Sequence, residues 1–170
     1  KKVINTRQCY IGAERVQDIV NEYDPITYQL PYEIENDWFK LTYTLKKGIT
    51  SFYNKREKCE MLDKGMAKFF TPIYECTPIR TNDYSERSIL GRNIRGKHAE
   101  QYQGELIEIT CLEQGNLFTT LEFVYSLKGT NYCSVVFKMY HSLPKIDFKL
   151  KLAKTISNNI ESIYLPLTLE

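Results

Sequence analysis

Residues 34–62 read IENDWFKLTYTLKKGITSFYNKREKCEML, and the order of residue types in this stretch decides the fold class. Phe39, Leu41, Tyr43 and Leu45 fall at every second position, with Lys40, Thr42 and Thr44 between them. A period of two carried by aromatic and β-branched residues marks a strand with one buried face. Lys46, Lys47 and Gly48 interrupt the alternation, and Ile49 to Tyr53 resume an extended pattern. This predicts a β-hairpin whose turn holds Gly48 at positive φ, where the lack of a Cβ removes the steric penalty.

The pattern recurs downstream. Ile107, Ile109 and Cys111 define one strand face before the turn Gln114-Gly115-Asn116. Leu117, Thr119, Leu121, Phe123, Tyr125 and Leu127 then alternate with Thr120, Glu122, Ser126 and Lys128. After the turn Lys128 to Asn131, Cys133, Val135, Phe137 and Met139 form the next face. Beyond Pro144, Ile146, Phe148, Leu150 and Leu152 alternate with Lys145, Asp147, Lys149 and Lys151, predicting one buried and one strongly solvated face. A last strand is expected at Ile163, Leu165 and Leu167. Successive strands joined by short turns pair antiparallel, and each needs a second layer to cover its apolar face. The expected fold is all-β, an antiparallel β-sandwich with a short N-terminal helix. That helix is read over Ala13 to Tyr23, where Val16, Ile19, Val20 and Tyr23 share a side, and Asp24-Pro25 ends it.

The organisation that follows is one domain over residues 1–170. Residues 1–33 are helix and lead-in, 34–68 the first hairpin, 69–104 an irregular polar segment and 105–170 antiparallel strands. Lys1 begins without methionine and the run Ser162 to Leu169 stops without a polar cap, so the chain is expected to be a fragment of a larger protein.

Composition narrows the function. At 170 residues one core can form without staples. A formal net charge of +2 leaves no electrostatic footprint for nucleic acid or an anionic membrane, so neither is expected as a partner. The five cysteines, Cys9, Cys59, Cys76, Cys111 and Cys133, lack CxxC spacing, which argues against a zinc knuckle and a disulfide framework. Several sit in strand-like runs and read as small buried hydrophobes. No apolar run reaches bilayer length and the N-terminus lacks a signal-peptide core, which favours a reducing, bacterial cytoplasmic setting.

Chemistry-bearing residues are sparse. His98 and His141, the only histidines, have no ligand partner at helical spacing, so no metal is expected in this chain. Neighbouring carboxylates such as Glu35 with Asp37, or Glu100 with Glu105, raise the question of a glycosidase pair, yet acidic residues at a strand start also end pairing and solvate an edge. The stretch Gly91 to Gln103 is richer. Arg92, Asn93, Arg95, His98 and Glu100 offer planar donors and acceptors suited to sugar hydroxyls, and Tyr102 offers an apolar platform. Trp38, the single tryptophan, points opposite to Phe39 and could stack on a sugar or meet another domain.

Three segments together resemble a known family. The Glu35-Asn36-Asp37 lead-in, the Gly48 turn and the Ser51-Phe52-Tyr53-Asn54-Lys55 strand resemble the first hairpin in the β-sandwich region of family 38 glycoside hydrolases, the α-mannosidases. Tyr140 to Lys151 (YHSLPKIDFKLK), then Glu161-Ser162 and Leu165-Pro166-Leu167, are similar to that family's proline break, Ile-Asp strand and acidic residue before a final strand. The resemblance implies a supersandwich-like, galactose-mutarotase-type β-sandwich that follows the catalytic domain. In the family the nucleophile and the zinc ligands lie in that preceding domain. The resemblance therefore implies a non-catalytic part, with zinc in the parent enzyme, no cofactor in this chain, and the catalytic domain of the same polypeptide and carbohydrate as partners. No catalytic role transfers to any position here. A free-standing carbohydrate-binding or structural sandwich is the alternative, and an enzyme complete within the chain ranks third.

Overall fold

The computed structural model describes residues 3–4, 10–11, 14–15, 20–21, 29–63, 68–77 and 99–169. Among the described residues the regular structure is all strand, paired antiparallel throughout. At the N-terminus, β1 (Val3–Ile4) pairs with β4 (Val20–Asn21), and β2 (Tyr10–Ile11) with β3 (Glu14–Arg15). Apart from those short strands, the helix expected over Ala13 to Tyr23 lies outside the described residues.

The sandwich is built from three larger sheets. The opening hairpin gives a four-stranded sheet of β5 (Glu33–Glu35), β6 (Phe39–Thr44), β7 (Gly48–Asn54) and β8 (Cys59–Glu60), in that order. A three-stranded sheet has β9 (Ile73–Thr77) between β10 (Glu100–Gln103) and β15 (Ile160–Tyr164). The third is a meander of β11 (Glu105–Gln114), β12 (Phe118–Ser126), β13 (Thr130–Tyr140) and β14 (Ile146–Lys154). The first two sheets are linked where Leu62 bridges to Leu169 and the Asp63 N–H donates to the Thr168 carbonyl at 3.1 Å.

One core fills the space between them. Leu121, Phe123, Tyr125, Cys133, Val135, Phe137 and Met139 from the meander meet Ile34, Leu41, Tyr43, Ile49 and Phe52 from the hairpin sheet. Tyr43 sets its edge against Phe123 with ring centroids 5.6 Å apart. Phe69 and Phe70 continue the aromatic chain from Phe52 to Phe137 and Phe148. Phe70 holds φ of 54°, a left-handed conformation costly for a bulky residue, and its buried ring stacked 4.0 Å from Phe148 offsets that strain.

The hairpin forms as the alternation predicts, with Leu41 and Tyr43 buried and Gly48 at φ 73°. Four local readings need correction. Leu45 lies in the turn and is exposed rather than on the buried face. Ile107 is exposed because register shifts at Leu106/Glu108 and Cys111/Glu113 insert bulges, which break the strict period of two. Residues 73–77 and 100–103, read as part of an irregular segment, are strands β9 and β10; their single polar alternations are too short to register as a period. Phe148, Leu150 and Leu152 do face inward, opposite Phe137, Val135 and Cys133, yet each is about two-fifths exposed. The sheet ends at β14, and among the described residues its inner face is only partly covered, Phe70 stacking on Phe148.

Candidate functional site

The carbohydrate-contact residues read from sequence divide three ways. Arg92, Asn93, Arg95 and His98 lie outside the described residues. Glu100 and Tyr102 sit on β10. Trp38 lies in the lead-in to β6, on a different sheet, half-buried with the Arg56 guanidinium 5.2 Å from its ring centroid. That contact occupies one face of the ring.

The chemistry-bearing groups that do come together are on one face of the three-stranded sheet. Strand register aligns Glu100, Cys76 and Glu161 in one row and Tyr102, Tyr74 and Ile163 in the next. The Tyr102 hydroxyl donates to Glu100, and the Tyr74 hydroxyl to Glu161. Lys154 forms an ion pair with Glu161, and the Lys128 ammonium lies 3.6 Å over the Tyr102 ring. Tyr74 and Tyr102 are 6.2 Å apart by ring centroid. The β12–β13 turn seats against this face: Gly129, at φ 77°, is so close to Tyr74 that an added Cβ would lie 2.6 Å from its ring. Burial and the bond to Glu161 raise the Tyr74 hydroxyl well above its usual range.

Glu100 and Glu161 flank β9, so their backbones stand about two strand spacings, roughly 10 Å, apart. That separation invites comparison with a glycosidase pair, which needs one carboxyl kept protonated as the acid. Glu161 goes the other way: Lys154 and Tyr74 hold it below its ordinary value against a smaller effect of burial. Its charge is compensated and its oxygens are occupied, which is the chemistry of a structural tie.

A second carboxylate is more deeply set, on the outer face of the meander. Glu122 is buried and accepts hydrogen bonds on Oε1 from Ser134 Oγ at 2.6 Å, Lys151 Nζ at 2.8 Å and Tyr132 Oη at 2.9 Å. Burial alone would raise its pKa, but these donors together lower it. The sequence signal was only an acidic residue at an outward strand position. Nothing in the alternation distinguishes a solvated glutamate from one enclosed by its cross-strand neighbours.

His141 donates its backbone N–H to Leu117 at 2.9 Å and places Nε2 3.2 Å from Thr119 Oγ1. Among the described residues, no group of three or more His, Cys, Asp or Glu side chains is placed to hold a metal ion. Cys76, Cys111 and Cys133 are buried free thiols, as the apolar reading expects, whereas Cys59 is exposed. Burial pushes the Cys133 thiol up to about 11, far from a reactive thiolate.

Asn36 is the most connected residue of the hairpin lead-in. Its Oδ1 accepts from the backbone N–H groups of Trp38 at 2.8 Å and Phe39 at 2.6 Å, shaping the chain into β6. Its Nδ2 donates to the Tyr140 carbonyl at 2.7 Å, across to the end of β13, and Lys55 caps its own carbonyl at 2.8 Å. Asp147 accepts from Tyr140 Oη at 2.8 Å and pairs with Lys145 at 3.1 Å. Comparison with family models and with curated proteins finds no match to this chain.

Proposed function

We propose that this chain is a non-catalytic β-sandwich domain of an α-mannosidase-like glycoside hydrolase, bracing a catalytic domain carried by the same polypeptide. One observation carries the reading. A polar residue in each of the three segments that resemble family 38 is spent on holding the sandwich together. Asn36 ties the hairpin to the end of β13, Asp147 is held by Tyr140 and Lys145, and Glu161 joins β15 to Tyr74 and Lys154. Residues serving as ties support a scaffold more than a reaction centre, and the lowered pKa of Glu161 denies it the role of general acid.

Zinc and the nucleophile then belong to the preceding domain, and carbohydrate reaches this domain only through loops near the sugar site. Assaying the isolated chain and the complete polypeptide from its reading frame on an aryl α-mannoside tests this. The expected result is activity in the complete protein, abolished by a chelator, and none in the isolated chain. Hydrolysis by the isolated chain, lost on replacing Glu100 or Glu161 by Gln, would overturn it, as would a reading frame without an upstream metal-binding domain. Saturable binding of mannosides to the isolated domain in calorimetry would favour the free-standing carbohydrate-binding module instead.

A further inference from the structure

The two edges of the meander differ. Along β11 the ladder to β12 is broken by bulges at Ile107 and Leu112, a device that twists an edge away from further pairing. Along β14 the ladder to β13 runs without a shift from Ile146 to Ala153. The Tyr140 N–H bonds to the Lys145 carbonyl, which fixes the parity of this pairing. The backbone N–H and C=O groups of Ile146, Phe148, Leu150 and Leu152 therefore point away from β13, toward the open edge. Among the described residues no strand pairs there. The side chains of Phe148, Leu150 and Leu152 are half-exposed along that line.

Lysines commonly guard such an edge. Here most are already held: Lys145 by Asp147, Lys151 by Glu122 and Lys154 by Glu161. Lys149 is exposed and has no partner among the described residues.

We propose that β14 pairs antiparallel with β14 of a second copy of this chain, joining two meanders into one continuous sheet about a two-fold axis at Lys149. The strand is self-complementary in this register. Phe148 meets Leu150 of the second copy, Ile146 meets Leu152, and Asp147 meets Lys151, each pair occurring twice by symmetry. The outward-pointing backbone groups bond to their equivalents. The one unfavourable contact is Lys149 against its own copy on the axis. Sliding by one symmetric step toward the N-terminus sets Asp147 against Lys149 twice but also Lys145 against Lys151 twice, and by one step toward the C-terminus sets Lys149 against Lys151 twice with no attraction in return, so the balance of charge favours the proposed register. The proposal does not depend on the glycosidase reading.

Sedimentation equilibrium of the chain, from low micromolar to hundreds of micromolar, tests it. A reversible dimer is expected. Leu150→Pro removes an edge N–H that β13 does not use and should leave a monomer. Should that variant fail to fold, as judged by circular dichroism, Asp147→Lys serves in its place and should weaken the dimer about tenfold by facing Lys151. Lys149→Ser removes the axial repulsion and should tighten the dimer about two- to five-fold. A monomer at every concentration would overturn the proposal. So would a dimer indifferent to the edge variant, or one that Lys149→Ser weakens, since that result requires Lys149 to face Asp147.

Discussion

On its inner face the meander β11–β14 presents Leu121, Phe123, Val135, Phe137 and Met139, each close to fully buried against the second layer. On its outer face, one residue along in each strand, it presents Thr120, Glu122, Ser134 and Val136, which are also buried. Equal burial rests on different physics. Inner side chains gain from apolar area removed from water and from close packing. The polar outer ones are enclosed by one another, and their burial is tolerable because Ser134, Tyr132 and Lys151 all donate to Glu122, and Thr120 to Glu113 at 3.1 Å. Truncation leaves a cavity on one face and an unpaired polar group on the other. The two faces should therefore respond differently to size, charge and pH.

The sharpest separation comes from Phe137→Ala. Phe137 contacts Phe70 and Phe148 by ring and has almost no exposure. Loss of about 3–5 kcal/mol in urea unfolding is expected, from transfer and cavity together. A loss below about 1.5 kcal/mol would mean that the aromatic chain from Phe52 to Phe148 is not packed as described.

Next is the tie at the rim between the faces. Asn36→Ala removes the acceptor for two backbone N–H groups and the donor to Tyr140. A cost of about 1–3 kcal/mol follows, because those backbone groups lose their partner at a nearly buried position. Asn36→Asp keeps the acceptor and loses the donor, so thermal unfolding should place it between the wild type and the alanine variant.

Acid should discriminate the faces without any change in packing. Glu122 has its folded-state pKa lowered from the ordinary glutamate value of 4.5, so it contributes stability that is present above about that pH and lost as pH falls through the lower folded value. The stability difference between wild type and Glu122→Gln should therefore shrink as pH drops below 4.5. The penalty of Phe137→Ala should stay constant over the same range. A Glu122→Gln difference that grew on acidification would contradict the hydrogen-bonded, ionised state described for this carboxylate.

The inner face was the legible one. Phe39 to Tyr43 alternates cleanly, and Leu121 to Tyr125 and Cys133 to Met139 do so apart from Val124 and Val136, because burial against a second sheet imposes a period of two on residue type. Gly48 and Gly129 marked turns because both adopt positive φ. What escaped the sequence depends on neighbours distant along the chain. Glu122 looks solvated until Ser134 and Lys151 are brought beside it, 12 and 29 residues later. Phe148, Leu150 and Leu152 look buried in the sequence, yet the described residues leave this last strand of the sheet only partly covered. Glu100 and Tyr102 were singled out as sugar contacts by their chemistry, yet their bond to each other and the Lys128 contact arise from a pairing with β9 that a four-residue polar strand does not announce.

The smallest effect tests where the outer face stops behaving as an interior. Lys145 and Asp147 form an ion pair at 3.1 Å with both side chains about half exposed, two positions apart near the start of β14. Water screens such a pair and the long lysine side chain loses entropy in forming it, so Lys145→Ala should cost only about 0–1 kcal/mol. Asp147 would keep its bond to Tyr140 at 2.8 Å, the first cause of its lowered pKa, and little of its acid sensitivity should change. A double-mutant cycle of Lys145→Ala with Tyr140→Phe, read by urea unfolding, separates the two partners of Asp147. Coupling well above 1 kcal/mol would make Lys145, Asp147 and Tyr140 a second enclosed network at the sheet edge. Coupling near zero would leave Glu122 and its three donors as the part of the outer face that behaves as interior, with the lysines of β14 as its solvated margin.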